Sequence, residues 1–256
     1  MIKAIFFDID GTLLSHKSKR IPNSTIDAFK QLREKGIYLF AATGRHMLEM
    51  EQLPLECLEF DGYITLNGQL SLNASKEIMD ESPIAKEDTM QMVERFNEKK
   101  VPTMIVEKNR MYINFADEQV KEAQELISSP IPEIGSYQGD KIYQFVIYDR
   151  DNQAKEIQKK LPNCTMVYWN NDAIDVIPKD GGKAIGIQNV IKKLGIKREE
   201  TMAFGDGHND IDMLQFVGIG VAMGNSSDDV KKEADYITDD IDNDGLYKAL
   251  KEYKVI

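Results

Sequence analysis

The sequence predicts an α/β protein whose doubly wound parallel sheet is interrupted by an inserted α+β domain. Short apolar runs alternate with amphipathic helical patterns near both ends of the chain, which is typical of parallel strands joined by helices. In the middle, apolar runs follow one another across short polar turns, as they do in antiparallel hairpins. A chain of 256 residues is long enough for two modest domains.

The N-terminal part contains three predicted strands. Residues 2–7 are nearly all apolar, as expected of a strand buried on both faces, and "IYLFAATG" and "YITLNG" follow as the second and third. "PNSTIDAFKQLREKG" predicts the first helix, with Asn23 or Ser24 as its N-cap and Gly36 at its end. "RHMLEMEQL" predicts a short second helix.

The pattern changes after Asp80. "KEDTMQMVERFNEKK" predicts a helix with Met90, Val93 and Phe96 on its apolar face, and "VPTMIVE" and "RMYINFA" predict a hairpin around "KN". Two shorter helices and the strands "KIYQFVIYD", "CTMVYWN" and "AIDVIP" follow. Neighbouring hairpins imply an antiparallel sheet with helices on one face.

These elements delimit an inserted α+β domain at residues 82–180. Residues 1–81 and 181–256 then form one core domain, with hinges at "DESP" and "PKDGG". We assign Tyr168 and Trp169, near the last hairpin, to the core of the inserted domain rather than to a substrate platform.

After the insertion the first pattern resumes. Apolar residues at helical spacing run from Ile187 to Leu194, and Gly195 ends that helix. "TMAFGD" and "IGVAM" predict two more buried strands, with helices at about 209–216 and 227–234. The C-terminal part is therefore expected to complete the sheet that the N-terminal part begins.

The composition argues against several classes of partner. The 43 acidic residues outnumber the 32 lysines and arginines, and the net charge of −11 disfavours nucleic acid and anionic membranes. The chain has no secretory signal pattern and no apolar run near the ~20 residues that cross a bilayer. Cys57 and Cys164 match no metal or redox spacing, so we assign both to apolar core positions and expect a reducing cytoplasm. A monomer or weak homodimer is expected.

Polar residues follow the predicted parallel strands where each strand ends. Open α/β sheets bind ligands at this edge. The strand ends supply Asp8, Asp10, Thr43, Gly44, Arg45, Asp206, Asn209 and Asp210. Lys183 lies in the first turn of the helix that follows the insertion. A single acid at a strand end is usually an N-cap or a loop residue. Three acid-bearing segments at one edge of the sheet instead indicate a functional site.

These residue types favour phosphoryl transfer. Carboxylates that lie close together repel one another unless a cation lies between them, and Mg²⁺ binds carboxylates, water and phosphate oxygens. Thr43 is expected to open a helix, whose hydroxyl and backbone amides would bind an anion. Lys183 can neutralise both a carboxylate and a phosphoryl oxygen.

The motifs "DIDGT", "ATGR", the lysine after "DGG", and "GDGHND" resemble the four motifs of the haloacid dehalogenase (HAD) phosphatase superfamily, in the same order. The α+β insertion between the second and third motifs resembles the Cof-type branch with its large cap. "GIGVAMGNSSDDVKKEADYIT" and "DGL" also resemble that branch, so the likeness covers essentially the whole chain. It implies a HAD-type Rossmann-like core with a cap domain.

The resemblance also implies a role for each matching residue. Asp8 corresponds to the nucleophile that forms an aspartyl-phosphate, and Asp10 to the general acid and base, whose backbone carbonyl binds the metal. Thr43 and the Gly44 amide correspond to groups that hold the transferring phosphoryl.

For the remaining motifs, Lys183 corresponds to the residue that offsets charge on the nucleophile and the phosphoryl. Asp206 corresponds to a metal ligand and Asn209 to a phosphate contact. The implied Mg²⁺ site therefore consists of Asp8, Asp10 and Asp206.

The expected function is a Mg²⁺-dependent phosphatase that hydrolyses small phosphorylated metabolites through an aspartyl-phosphate. The resemblance implies substrates of the sugar phosphate, pyridoxal phosphate or flavin mononucleotide class. A sugar phosphomutase of the same superfamily and a non-catalytic sensor of phosphorylated ligands are the alternatives. Asp10 argues against the sensor, because binding alone needs no second carboxylate there.

Of four further residues near the motifs, two keep more than one interpretation. Arg45 contacts the substrate or caps a helix. Asp210 supports the water shell of the metal or Lys183, or it stabilises a helix N-terminus, which is the role expected of Asp212. His208 has no nucleophile to pair with and is assigned to the loop.

Overall fold

The computed structural model describes residues 1–127, 129–148, 154–168 and 173–256. The chain divides into two compact units, one formed by Met1–Glu81 with Gly182–Ile256 and the other by Ser82–Gly181. Each unit has its own sheet. Across the described ranges, every helix is too short or too polar to cross a membrane.

The strands within the described ranges, in chain order, are β1 (Ala4–Phe7), β2 (Tyr38–Ala42), β3 (Gly62–Thr65), β4 (Leu70–Asn73), β5 (Ile78–Glu81), β6 (Thr103–Glu107), β7 (Met111–Ile113), β8 (Ile142–Tyr148), β9 (Cys164–Tyr168), β10 (Ala173–Pro178), β11 (Thr201–Gly205), β12 (Ile219–Ala222) and β13 (Tyr236–Ile237). The helices are α1 (Asn23–Glu34), α2 (Met47–Met50), α3 (Lys86–Glu98), α4 (Glu118–Leu126), α5 (Ala154–Gln158), α6 (Lys183–Leu194), α7 (Ile211–Phe216), α8 (Asp228–Lys231) and α9 (Gly245–Glu252).

The first unit contains an eight-stranded sheet in the order β13-β12-β11-β1-β2-β3-β4-β5. The six strands from β13 to β3 are parallel, which confirms the predicted α/β class. The last two strands run antiparallel and extend the sheet beyond the predicted parallel part. "YITLNG" is therefore only partly a strand, because the chain leaves β3 after Thr65 and turns back into β4.

The central strand β1 is apolar throughout because both of its faces are covered. Ile5 and Phe7 belong to one hydrophobic cluster, and Ala4 and Phe6 belong to the cluster on the opposite face. The Phe7 ring lies 4.8 Å from that of Phe29 on α1. Burial on two faces removes the alternation that a half-exposed strand would show. This arrangement is the doubly wound sheet that the apolar runs predict.

The start of α1 differs from the prediction. The N-cap is Pro22 rather than Asn23 or Ser24, and no side chain among the described residues caps this helix. The Ser24 hydroxyl instead donates to the carboxylate of Asp244 at 2.6 Å. Gly36 follows the helix with a φ of +69°, a left-handed conformation that favours glycine, as predicted.

The second unit contains a five-stranded antiparallel sheet in the order β7-β6-β8-β10-β9. β6 and β7 form the predicted hairpin, and β9 and β10 pair with each other across residues outside the described ranges. On α3, Met92, Val93 and Phe96 enter the core, whereas Met90 is 53% exposed. The prediction for Met90 is therefore wrong, because the inward stripe of α3 passes through Met92 instead.

Two other core assignments are corrected. Tyr168 is 50% exposed, so it does not belong to the core of its unit, and Trp169 lies outside the described residues. Cys164 is buried as expected, but Cys57 is exposed, and both are free thiols. Cys57 lies in a surface segment between α2 and β3, where its apolar neighbours in sequence do not enclose it.

Candidate active site

The carboxyl edge of the parallel strands brings the predicted acidic residues together. Asp8 directly follows β1, and Asp206 directly follows β11, its neighbour in the sheet. The amide of Asp8 donates to the carbonyl of Phe204 at 2.9 Å, which extends this strand pairing to the first acid. Carboxylate oxygens of Asp8, Asp206 and Asp210 lie within 4.8 Å of one another.

Lys183 lies between two of these acids. Its ammonium group, which is fully buried, donates to Asp8 Oδ1 at 2.7 Å and to Asp210 Oδ1 at 2.6 Å. Burial lowers the pKa of Lys183, but the two carboxylates outweigh it, so the net pKa is raised and the ammonium stays charged. Of the three interpretations of Asp210, the geometry favours support of Lys183.

Asp210 also fixes the loop that contains Asp206. Its Oδ2 accepts hydrogen bonds from the amides of Asp206, at 2.9 Å, and Gly207, at 2.8 Å. A Cβ at Gly205 would lie 2.6 Å from the Cβ of Asp210, so glycine is required at this close approach. With Lys183 on one oxygen and two amides on the other, Asp210 is a structural anchor for the site.

Two residues that the sequence analysis missed hold Asp206. The Thr12 hydroxyl donates to Asp206 Oδ1 at 3.1 Å, and the Asn225 side-chain amide donates to Oδ2 at 3.2 Å. Asn225 also donates to the carbonyl of Gly11 at 2.9 Å. Thr12 belongs to the motif "DIDGT", and Asn225 lies in "MGNSSDD", where an amide side chain soon after a strand end is the available signal.

The acids of this cluster are held in an environment that disfavours their charged form. Burial, followed by the nearby Asp210 carboxylate, raises the pKa of Asp8 well above its usual value and raises the pKa of Asp206 to about 7. Three carboxylates face one ammonium, which leaves an excess of negative charge. Oxygen donors with excess negative charge suit a hard divalent cation, so the residues present fit a metal ion.

Asp10 does not join this cluster through its side chain. Arg45 donates from Nε to Asp10 Oδ2 at 2.6 Å and from Nη2 to Oδ1 at 2.9 Å, a bidentate ion pair. Burial lowers the pKa of Arg45, but the hydrogen bond to Asp10 and its negative charge outweigh burial. The net pKa is therefore raised, and the guanidinium stays charged. Arg45 was predicted to contact the substrate or to cap a helix. The partner observed here is instead the Asp10 carboxylate.

The predicted helix at Thr43 is wrong. α2 begins four residues later, at Met47, because His46 is its N-cap. The His46 ring accepts from the amide of Leu48 at 3.1 Å, and Glu49 accepts from the amide of His46 at 2.9 Å, a capping box. Thr43 lies instead in the loop after β2, where its buried hydroxyl accepts from the Arg45 amide at 3.1 Å.

Asn209 and Gly44 both lie close to the side chain of Asn67, a residue that was not predicted to belong to the site. The Asn209 side-chain amide donates to Asn67 Oδ1 at 3.2 Å, and a Cβ at Gly44 would lie 3.0 Å from the same oxygen. His208 is exposed, in keeping with a loop position. Asp212 does stabilise a helix N-terminus, but that of α6, where it accepts from the Ala184 amide at 3.0 Å.

The fold and this arrangement agree with comparisons to known proteins. The family model for haloacid dehalogenase-like hydrolases matches residues 5–250, and the chain belongs to this family. The Bacillus subtilis (strain 168) protein YkrA is 34% identical over 253 residues, which cover 98% of this chain and 97% of YkrA.

Solved structures narrow the class. BT1666 from Bacteroides thetaiotaomicron, a HAD phosphatase, superposes with a TM-score of 0.91 at 31% identity, covering 100% of this chain and 96% of BT1666. The HAD subclass IIB sugar phosphatase BT4131 gives a TM-score of 0.86 at 37% identity, covering 99% of this chain and 100% of BT4131. The chain is a HAD-type phosphatase of subclass IIB.

Proposed function

We propose that this phosphatase hydrolyses small phosphate esters with Mg²⁺ and that the phosphoryl group passes through Asp8. The observation that carries the proposal is the setting of Asp8, which ends β1 with Lys183 on Oδ1 at 2.7 Å and Asp206 beside it. Because Lys183 occupies Oδ1, Oδ2 is the oxygen assigned to attack. Asp10 and Asp206 belong to the same edge but have different partners, which suits different roles.

The first step moves the phosphoryl group onto the enzyme. Asp8 Oδ2 attacks phosphorus and the bond from phosphorus to the ester oxygen breaks. Asp10, which takes up a proton from solvent when it leaves its ion pair with Arg45, gives that proton to the ester oxygen. In the second step Asp10 takes a proton from water, which attacks phosphorus and breaks the bond to Asp8. Inorganic phosphate leaves, and both carboxyl groups return to their starting state.

Each step needs groups that hold the phosphoryl oxygens. We assign this role to Thr43, the Gly44 amide, Asn209 and the Lys183 ammonium. Lys183 is supported by its position on Asp8. Asp10 must exchange at least one of its two contacts with Arg45 for the substrate or for water, because both carboxylate oxygens are engaged.

The metal would be held by the side chains of Asp8 and Asp206 and by the backbone carbonyl of Asp10. When bound, Mg²⁺ supplies positive charge that offsets the charge of the transferring phosphoryl oxygens. Asp210 is not assigned as a ligand, because we assign it to supporting Lys183 and to fixing the loop that contains Asp206.

For the substrate, we propose a small phosphorylated metabolite of the sugar phosphate, pyridoxal phosphate or flavin mononucleotide class. The similarity to a sugar phosphatase favours the first of these. We further propose that the unit Ser82–Gly181 is the cap that selects among substrates, since all of the assigned catalytic residues belong to the other unit. Two free thiols support a reducing, cytoplasmic setting.

Phosphate release from an aryl phosphate, assayed with Mg²⁺ and with a chelator, tests this function. We expect release that depends on Mg²⁺. A panel of sugar phosphates, pyridoxal phosphate and flavin mononucleotide, ranked by kcat/KM, then identifies the substrate class. Absence of release from every compound, in the presence of Mg²⁺, would contradict the proposal and favour the phosphomutase or the sensor.

Asp206→Asn is expected to raise the Mg²⁺ concentration for half-maximal rate by at least about tenfold, because one anionic ligand is replaced by a neutral one. The measurement is a Mg²⁺ titration of the rate, with direct binding by calorimetry. Asp61→Asn is the matched control, since Asp61 is also partly buried and accepts from a backbone amide, that of Leu39, near the opposite end of β2. An unchanged Mg²⁺ dependence in Asp206→Asn would show that the metal is misplaced.

A further inference from the structure

Three consecutive residues after β3 have a left-handed backbone. The φ angles of Leu66, Asn67 and Gly68 are +54°, +53° and +93°. Glycine adopts this region freely and asparagine tolerates it, but leucine is strained there because of its Cβ. Backbone strain persists where the surroundings over-determine the conformation, and it is concentrated at functional sites. We call Leu66–Gly68 the left-handed turn.

A hairpin between β3 and β4 explains part of this turn, because Asn-Gly is a common hairpin pair. It does not explain the left-handed leucine or the burial, since Leu66 and Asn67 are each at most 2% exposed. It also does not explain why two backbone amides of the turn donate to carbonyls outside the hairpin. The amide of Leu66 donates to the carbonyl of Arg45 at 3.2 Å, and that of Asn67 to the carbonyl of Thr43 at 3.0 Å.

These two bonds hold the loop of residues 43–45, which lies before α2 and lacks the support of a helix. The left-handed turn, which connects β3 to β4, thus provides two backbone amides that hold the two ends of the loop Thr43–Arg45. The same three residues include two of the groups assigned to hold the phosphoryl. Their positions relative to Asp8 therefore depend on the turn.

The turn contacts two other motifs as well. Asn67 Oδ1 accepts from the side chain of Asn209 at 3.2 Å. At Gly68, a Cβ would lie 2.0 Å from the carbonyl of Gly182, the residue before Lys183, so glycine is required for this approach. One short segment therefore touches the loops of the second, third and fourth motifs without belonging to any of them.

We propose that the left-handed turn is a positioning element for phosphoryl binding and that Asn67 is a positioning residue that acts through Asn209. This proposal rests on the proposed function. Asn67 accepts one N–H of the Asn209 amide, which fixes the plane of that amide and leaves its second N–H to donate to a phosphoryl oxygen. Strain in Leu66 is tolerated because it delivers Asn67 and the two backbone amides to these partners.

Asn67→Gly is the test variant, because glycine keeps the left-handed backbone and removes only the side chain. In the Mg²⁺-loaded enzyme we expect the inhibition constant of inorganic phosphate to rise by about tenfold or more, with a matching fall in kcat/KM for an aryl phosphate. Asn73→Gly is the control, since Asn73 caps the exposed turn after β4 through Glu77.

A double-mutant cycle separates positioning from a general loss of structure. If Asn67 acts through Asn209, the variant Asn67→Gly adds little to the loss of phosphate affinity caused by Asn209→Ala. Additive effects, or a phosphate affinity in Asn67→Gly within twofold of wild type, would overturn the proposal. A purely structural role would lower the melting temperature and leave the phosphate affinity of the folded enzyme unchanged.

Asn67→Asp provides a second route if the glycine variant does not fold. The carboxylate keeps the shape and still accepts from Asn209, so Asn67→Asp is expected to bind inorganic phosphate more tightly than Asn209→Ala does; an affinity as low as that of Asn209→Ala would overturn the proposal. Wild-type enzyme that releases no phosphate would contradict the proposed function itself. Active wild type with an uncoupled Asn67 would contradict only the positioning role.

Discussion

Asp8→Asn is expected to lower kcat by roughly 10⁴-fold or more while leaving the fold intact. An amide keeps the shape of the side chain, and its oxygen still accepts the hydrogen bond that Lys183 donates at 2.7 Å. It is not a nucleophile, so the step that transfers the phosphoryl group to the enzyme is lost. The measurement is steady-state turnover of an aryl phosphate at saturating Mg²⁺, with circular dichroism to verify folding.

The matched control for this loss is Asp61→Asn, which makes the same chemical change far from the carboxyl edge of the sheet. It is expected to retain wild-type kcat. Turnover near that of wild type in Asp8→Asn would rule out attack by Asp8. A similar loss in both variants would indicate that the assay reports damage to the fold.

Lys183→Met has the second largest expected effect, and it acts on stability as well as on activity. Removing the ammonium leaves Asp8 and Asp210 facing each other in a buried site without the cation they share. Breaking a buried ion pair in this way costs about 3–5 kcal/mol of unfolding free energy. Activity should fall too, since the phosphoryl loses a positive charge. Urea unfolding at neutral pH, in a chelator, measures the first effect.

Lys193→Met is the control on the same helix. Lys193 is exposed and pairs with Asp80 at 3.5 Å, so solvent screens the interaction and its loss is expected to cost at most about 1 kcal/mol. Equal stability of the two variants would contradict the assignment of Lys183 as the buried counter-charge. Full activity in a stable Lys183→Met would contradict its role at the phosphoryl group.

The sequence predicted the fold most reliably where burial on two faces makes a strand continuously apolar. β1 is such a strand, and the acid that ends it is the first residue of the site. Strand ends in a parallel sheet lie at a common edge, so Asp8 and Asp206 could be brought together from topology alone. Lys183 could be added because the helix after the insertion begins with it.

β4 and the edge strand β5 were missed because both are short and partly polar, so neither contains a long apolar run. The predicted helix at Thr43 failed for a different reason. Histidine is an unusual N-cap, so the capping box of His46 and Glu49 was not recognised. The local sequence pattern alone therefore predicted a helix start four residues before the observed one.

Long-range partners account for the rest of the site. The ion pair of Asp10 with Arg45, the bond from Thr12 to Asp206 and the contact of Asn67 with Asn209 each join different strand connections. Spacing in the sequence does not encode such pairs. Only Asn67 offered a local signal, since an Asn-Gly pair marks a left-handed turn, but that signal indicates turn geometry and not what the turn contacts.

Rapid-quench mass spectrometry of Asp10→Asn is the decisive test for transfer of the phosphoryl group to Asp8. The amide that this variant carries in place of the Asp10 carboxylate cannot activate water, so hydrolysis of the intermediate should slow by about 10²–10⁴-fold. An aryl phosphate, whose leaving group needs no proton, should still react in the first step. We predict a burst of the released phenol and a peptide phosphorylated at Asp8. A variant that turns over aryl phosphate with no burst and no phosphate on Asp8 would rule out the aspartyl-phosphate at Asp8.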